Sequence, residues 1–97
     1  MQQNITLLSA ASATGAAVNV QLGGKYCFDA AGTFGGTTVG LEMLGADGVT
    51  WIAVEDIAGA IAMTVAGAVI VEIPAGSYRA TITGGAGVSM NARLRSV

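Results

Sequence analysis

The chain has 97 residues, of which 53% are apolar and 10% are charged, and its formal net charge is −2. This length fits one domain with one core, and a charged fraction far below the roughly 25% of an average soluble domain predicts that other subunits cover part of the surface. The four lysine and arginine residues form no basic stripe, which excludes direct nucleic-acid binding because that requires clustered cations to neutralise phosphates.

Short segments rich in valine, isoleucine, threonine and aromatic residues are separated by bends that the 15 glycines mark. Such segments predict an all-β fold. Apolar and polar residues alternate along them, most clearly over residues 88–95, as expected of strands with one buried and one wet face. The predicted strands span residues 3–9, 17–22, 24–31, 37–44, 50–56, 61–66, 68–73 and 77–83, with 88–96 as a ninth strand or as the partner that closes a sheet. We therefore predict an antiparallel two-sheet β-sandwich of about eight strands, of which the jelly roll is one arrangement.

The N-terminal part of the chain is predicted to be an extended arm over residues 1–14, followed by the sandwich domain over residues 15–97. The alanine-rich patch from Ala10 to Ala17 contains helix formers, but Ser12, Thr14 and Gly15 interrupt it. This patch is therefore predicted to be a loop.

Asp47-Gly48 is the strongest local turn signal in the sequence. An Asp-Gly pair tolerates the positive φ angles of a type I′ turn, whose twist matches the flanking strands. We predict a hairpin with the arms Leu41–Leu44 and Thr50–Val54, closed by this turn or by a slightly longer loop. Trp51 alternates with Ile52 just after the turn and is predicted to lie in the core.

The residues that the chain lacks exclude most catalytic chemistry. It has no histidine, so neither a Ser-His-Asp nor a Cys-His arrangement can form, and Cys27 has no base to activate it. A single cysteine without histidine cannot make a zinc site, and the adjacent Glu55 and Asp56 point to opposite faces of a strand. The glycine run of residues 84–87 lacks the Lys-Ser/Thr pair of a P-loop and is predicted to be a flexible turn. We expect no enzymatic activity, catalytic residue, cofactor or metal site.

Membrane and secretion signals are not expected either. The uncharged stretch from Ile57 to Val71 is shorter than the roughly 20 residues that a membrane span needs, and Glu72 and Pro74 end it. The first cation is Lys25, whereas a secretory signal begins with a basic region. The sequence thus predicts no membrane association.

Two regions are candidates for contact with other proteins. Phe34 lies beside Gly35-Gly36 in a predicted turn, where an exposed aromatic ring is hard to explain without a partner. Arg93 and Arg95 share one face of the last strand, which allows a local anion contact. Without catalytic equipment, the chain is predicted to act by offering such surfaces to other proteins.

Four stretches of the chain carry a family resemblance. They are G-K-Y at residues 24–26, G-T-F-G-G-T-T-V at 32–39, L-x-M-L-G-x-D-G-x-T-W at 41–51, and I-P-A-G-S-Y-R-A at 73–80. Together they resemble small virion-associated proteins of tailed bacteriophages and related prophages, and the resemblance covers most of the chain from about residue 18 onward. No functional residue carries over from the family, because such proteins have no catalytic motif to match.

The resemblance implies a capsid decoration (cement) protein that binds the outer capsid surface and stabilises it. It implies the major capsid protein as a partner, self-association as a trimer or as a dimer, and a place on the virion after synthesis in the host cytoplasm. Contacts are then expected from the arm through Ile5 and Leu7, from Phe34, and from Arg93 and Arg95. The alternatives are a head-fibre or tail-associated module, and a carbohydrate-binding domain for adsorption that stacks an exposed aromatic ring on a sugar.

Overall fold

The computed structural model describes residues 4–56 and 59–96, and every regular element in these ranges is a β-strand. The prediction of an all-β chain is therefore confirmed. The strands are β1 (Asn4–Ala11), β2 (Val18–Val20), β3 (Gly24–Thr33), β4 (Thr38–Leu44), β5 (Trp51–Ala53), β6 (Glu55–Asp56), β7 (Gly59–Ala60), β8 (Ala62–Met63), β9 (Gly67–Ile73), β10 (Gly76–Thr83) and β11 (Ser89–Ser96).

Two antiparallel sheets form the sandwich. One has the strand order β1-β11-β3-β9, and the other has the order β2-β10-β4-β5, with β8 also paired to β4. Since β5 and β8 pair with successive parts of the same side of β4, they count as one interrupted strand. The eight strands then form nested pairs: β1 with β11, β2 with β10, β3 with β9, and β4 with β5 and β8. This nesting is that of a jelly roll, so the predicted sandwich is confirmed in its jelly-roll form.

A small hairpin of β6 and β7 interrupts the edge strand between β5 and β8. The Val54 N–H donates to the Leu41 carbonyl oxygen at 2.9 Å, and the Ile61 N–H donates to the Val54 carbonyl oxygen at 3.1 Å. The chain thus leaves the sheet edge at Val54 and returns to it at Ile61, and β6 lies near β9 of the other sheet. For this reason the segments 50–56 and 61–66, each predicted as one strand, are shorter or divided in the structure.

The hydrophobic core fills the space between the two sheets. On β11, Met90, Ala92 and Leu94 are buried while the residues between them are exposed, which confirms the predicted alternation. Tyr26, Phe28 and Tyr78 are the largest aromatic side chains in this core, at 2% exposure or less. Burial of one such side chain stabilises the fold by about 1.5–3 kcal/mol.

Residues 4–11 of the predicted N-terminal arm form β1, which pairs with β11 at the edge of the four-stranded sheet. A β-bulge between Thr6 and Leu8 adds one residue to β1, so that the consecutive Leu7 and Leu8 both lie in the core. This part of the predicted arm is therefore a strand of the sandwich, and residues 1–3 lie outside the described residues. The strand predicted over residues 3–9 is thus present from Asn4 onward, but the bulge breaks the alternation of apolar and polar residues, so the pattern does not show that this strand belongs to the sandwich.

Candidate protein-interaction surface

The β4–β5 hairpin places an apolar and charged cluster on the outer face of the five-stranded sheet. Val39 and Leu41 of β4 point into the core, so Glu42 and Leu44 are on the strand positions of the opposite, outer face. The antiparallel register pairs Leu44 with Trp51 and Glu42 with Arg79. Paired residues lie on the same face, and these side chains therefore meet on the outside. We call Glu42, Leu44, Trp51 and Arg79, together with the exposed Val49 of the adjoining loop, the Trp51 surface.

The loop of residues 45–50 is held by the Asp47 carboxylate. Its Oδ1 accepts hydrogen bonds from the backbone N–H groups of Val49 (2.9 Å) and Thr50 (2.8 Å), and its Oδ2 accepts one from the Thr50 hydroxyl (2.6 Å). These bonds, led by that from the Thr50 hydroxyl, lower the pKa of Asp47 from 3.8 to about 2. The hairpin prediction is confirmed, in the longer-loop form. Gly48 has a positive φ of 72° but Asp47 does not, so the turn is not type I′.

Val49 follows this ordered turn and is 78% exposed. It lies two residues before Trp51 in the sequence, and Ile52, on the sheet edge, is 47% exposed. The hairpin thus carries two of the five large apolar side chains that are strongly exposed among the described residues. Exposed apolar side chains on one hairpin favour an interaction site.

Arg79 is held in place on the Trp51 surface by two neighbours. Its Cζ atom lies 4.4 Å from the centroid of the Trp51 ring, an arrangement that favours a cation–π contact. Its Nε and Nη2 atoms lie 2.8 Å and 2.7 Å from Oε1 of Glu42. The side chains of Arg79 and Glu42 are only 30% and 26% exposed, so both are partly shielded from solvent. The guanidinium is therefore ordered before any partner arrives.

The prediction that Trp51 is a core residue is wrong. The register places Trp51 opposite Leu44 on the outer face, where it is half-buried beneath Arg79, while Ile52 takes the inward position opposite Met43. Alternation shows that successive side chains of a strand point to opposite faces of the sheet. It does not show which of the two faces is the inner one when the residues on both are apolar. Cross-strand pairing with β4 decides that direction, and the sequence signal that could have revealed it is the pairing of Trp51 with Leu44 across the predicted hairpin.

The contact residues predicted from the sequence do not come together in the structure. Leu7 is buried in the core, and Ile5 and Phe34 are half-buried against it. Arg93 and Arg95 share the exposed face of β11, on the outside of the four-stranded sheet. Leu7 is thus unavailable to a partner, and the two arginines lie on the side of the sandwich opposite the Trp51 surface.

In the part of the chain that the structure describes, no three cysteine or carboxylate side chains are grouped as a metal site. No helix within residues 4–56 and 59–96 is long and apolar enough to cross a bilayer. Comparisons with protein-family models, with curated proteins and with solved structures find no match to this chain. The Trp51 surface is therefore a candidate interaction site on the basis of its geometry alone.

Proposed function

We propose that this chain is a non-enzymatic structural protein that binds another protein through the Trp51 surface. The observation that carries the proposal is the Arg79 guanidinium held over Trp51 on the outside of the sandwich. Tryptophan and arginine are the residues in which the binding energy of protein interfaces is most often concentrated. The sequence contains one tryptophan, Trp51, and it lies on the surface rather than in the core. A partner that covers Trp51 explains this placement.

The side chains and loop of the Trp51 surface are ordered before binding, which further supports the proposal of a protein partner. An interface loses free energy when it immobilises long side chains, at about 0.5–1.5 kcal/mol for each. The Glu42 ion pair has already ordered Arg79, and the Asp47 hydrogen bonds have ordered the loop that bears Val49. Binding through this surface therefore requires little further ordering.

We propose the major capsid protein of a tailed bacteriophage as the partner, so that the chain acts as a capsid decoration protein on the outside of the virion. The resemblance of residues 24–26, 32–39, 41–51 and 73–80 to small virion proteins supports this choice. The jelly roll is compatible with it, since viral capsid proteins and lectins both use this fold, although a fold alone does not assign a function. The low charged fraction of 10% suits a surface that lattice neighbours cover.

Self-association as a trimer, or as a dimer, is part of the same proposal. Among the described residues, four large apolar side chains outside the Trp51 surface are strongly exposed: Leu22 and Ile52 at 47%, Val65 at 71% and Ile70 at 55%. Contacts between sister subunits on a lattice would cover such positions.

The test uses Trp51→Ala and Arg79→Lys in protein added to particles that lack it. Loss of the tryptophan, or of the planar guanidinium that stacks on it, should weaken attachment by about 2 kcal/mol, roughly thirty-fold in Kd. Lys25→Ala, at an exposed position of β3 in the other sheet, is the control for attachment to the capsid, and circular dichroism checks the fold of each variant. Wild-type attachment by both Trp51-surface variants would refute the proposed site.

The number of bound copies, measured by quantitative mass spectrometry of purified particles, separates decoration from the head-fibre or tail alternative. Decoration predicts copies spread over the whole capsid in electron micrographs. A few copies confined to one vertex or to the tail would instead identify a fibre or tail module and refute decoration.

A further inference from the structure

A depression of about 600 Å³ lies on the outer face of the four-stranded sheet, on the side of the sandwich opposite the Trp51 surface. One row of paired residues crosses it on all four strands, with Thr6 of β1, Arg93 of β11, Asp29 of β3 and Ala68 of β9 side by side. Ser9 and Asn91 also line it. We call these six residues the Arg93 depression.

A strained bulge forms one wall of the depression. The register between β1 and β11 shifts a second time between Leu8 and Ala11, and Ala10 has a φ of 47°, which is unfavourable for a residue with a Cβ atom. The Ala10 N–H donates to Oδ1 of Asn91 at 3.0 Å. Bulges and positive-φ residues of this kind recur beside functional sites, where they redirect side chains. Because Oδ1 of Asn91 is engaged, the Nδ2 group is the donor that Asn91 offers to a ligand.

The ion pair between Arg93 and Asp29 leaves hydrogen-bond donors of Arg93 available to a ligand. Nε of Arg93 lies 3.1 Å and 3.0 Å from Oδ1 and Oδ2 of Asp29, and the two side chains are 44% and 26% exposed. Within the described residues, no acceptor contacts the terminal amino groups of Arg93. The pair has no net charge, and Asp29 would repel an anionic ligand. Arg93 therefore offers hydrogen bonds without an excess of positive charge.

We propose that the Arg93 depression binds a neutral saccharide. A sugar hydroxyl both donates and accepts hydrogen bonds, and the site supplies both: donors from Arg93 and Asn91, an acceptor in Asp29, and hydroxyls on Thr6 and Ser9 that do either. The methyl groups of Ala31 and Ala68 give the C–H face of a pyranose ring an apolar floor. A volume of about 600 Å³ is within the range of small-molecule sites. A protein attached through the Trp51 surface would present this site outward.

The experiment titrates ¹⁵N-labelled full-length protein with maltotriose, lactose and triacetylchitotriose at millimolar concentration, and with trigalacturonic acid as the anionic comparison. Binding of at least one neutral sugar should shift the amide signals of Thr6, Ser9, Asn91 and Arg93. Arg93→Ala should weaken that binding at least about tenfold, because hydrogen bonds from a charged donor are lost. Arg95→Ala, on the same face of the same strand but outside the depression, is the matched control and should bind like the wild type.

Asn91→Asp is a second variant that keeps an acceptor for the Ala10 N–H while removing the Nδ2 donor, so it separates ligand recognition from the stability of the bulge. It should also bind at least about tenfold more weakly. No shift with any neutral sugar, shifts confined to other surfaces, preference for the acidic sugar, or equal loss in Arg93→Ala and Arg95→Ala would each overturn the proposal. Attachment to particles does not enter this assay, so its failure leaves the proposed decoration function to its own test.

Discussion

Two tyrosine side chains stabilise the turns at one end of the sandwich by hydrogen bonds to the backbone. The Tyr26 hydroxyl donates to the Leu22 carbonyl oxygen, and the Tyr78 hydroxyl donates to the Pro74 carbonyl oxygen, each four residues back along the chain. Both rings are in the core, as the alternation of their strands predicts. Burial, and then the nearby Tyr26, raise the pKa of Tyr78 above its usual value. The Tyr78 hydroxyl thus stays protonated at neutral pH and donates to its turn.

Asp47 should make the loop of residues 45–50 sensitive to acid. Because its pKa falls from 3.8 to about 2 on folding, the carboxylate stabilises the folded loop above pH 3.8, and this contribution is lost as the pH falls toward 2. The amide signals of Val49 and Thr50, followed by NMR between pH 5 and 2, should shift with a midpoint near 2. Asp47→Ala should give altered signals at neutral pH that no longer change over this range. A midpoint near 3.8 in the wild type would contradict the hydrogen-bonded loop.

At the scale of elements, two glycine-rich loops at the other end of the sandwich pack backbone against backbone. The Ala86 N–H donates to the Gly35 carbonyl oxygen at 2.9 Å, and the buried Thr37 hydroxyl donates to the Thr83 carbonyl oxygen at 3.0 Å. The run of residues 84–87 is the inter-strand turn that the sequence predicts. Its contact with the β3–β4 turn explains why glycine is required at Gly35 and Gly85, where a Cβ atom would meet the backbone of the facing loop.

Gly35→Ala should destabilise the protein more than Gly84→Ala. Both glycines have a positive φ, of 58° and 75°, which costs an alanine roughly 1–2 kcal/mol. A Cβ atom on Gly35 would in addition clash with the Ala86 carbonyl oxygen, whereas one on Gly84 would meet nothing within 4 Å. Urea denaturation should therefore show a loss of about 3 kcal/mol or more for Gly35→Ala and about 1 kcal/mol for Gly84→Ala. Equal losses would mean that the two loops do not pack as described.

At the scale of the whole molecule, the nested jelly-roll pairing joins the two ends of the chain. β1 and β11 lie side by side, and Arg93 contacts Asp29 across 64 positions of sequence. Strands that follow one another mostly belong to different sheets, and β4–β5 is the local hairpin within one of them. Stability therefore depends on both ends of the chain at once.

Deleting residues 1–12 should unfold the domain. The deletion removes β1 and with it the buried Leu7 and Leu8, at about 1.5–3 kcal/mol each, from a total stability of about 5–15 kcal/mol. Circular dichroism and one-dimensional NMR should show loss of the native signals. Leu7→Ala alone should cost about 2–4 kcal/mol and the exposed Thr6→Ala less than about 0.5 kcal/mol. A truncated protein that stays folded would contradict this result and would support the separate N-terminal arm that the sequence predicts.

The class of fold, the position of most strands and the inward faces of the alternating strands can all be predicted from the order of the residues. Period-two alternation and glycine bends are local signals, so β11, β10 and β4 could be read from single segments, and the Asp47-Gly48 pair identified the hairpin. The lack of histidine likewise excludes a histidine-dependent active site without any structure. These conclusions depend on neighbouring residues only.

Which strands pair, and which apolar residues remain outside, becomes visible only in the assembled sandwich. Trp51 belongs to the surface because Leu44 is its partner, and the consecutive Leu7 and Leu8 both belong to the core because a bulge lies between Thr6 and Leu8. The Arg93 depression likewise exists only where four strands distant in sequence meet. Strand pairing depends on which arrangement of all the strands together buries the apolar side chains. No single segment of the sequence therefore specifies its own partner.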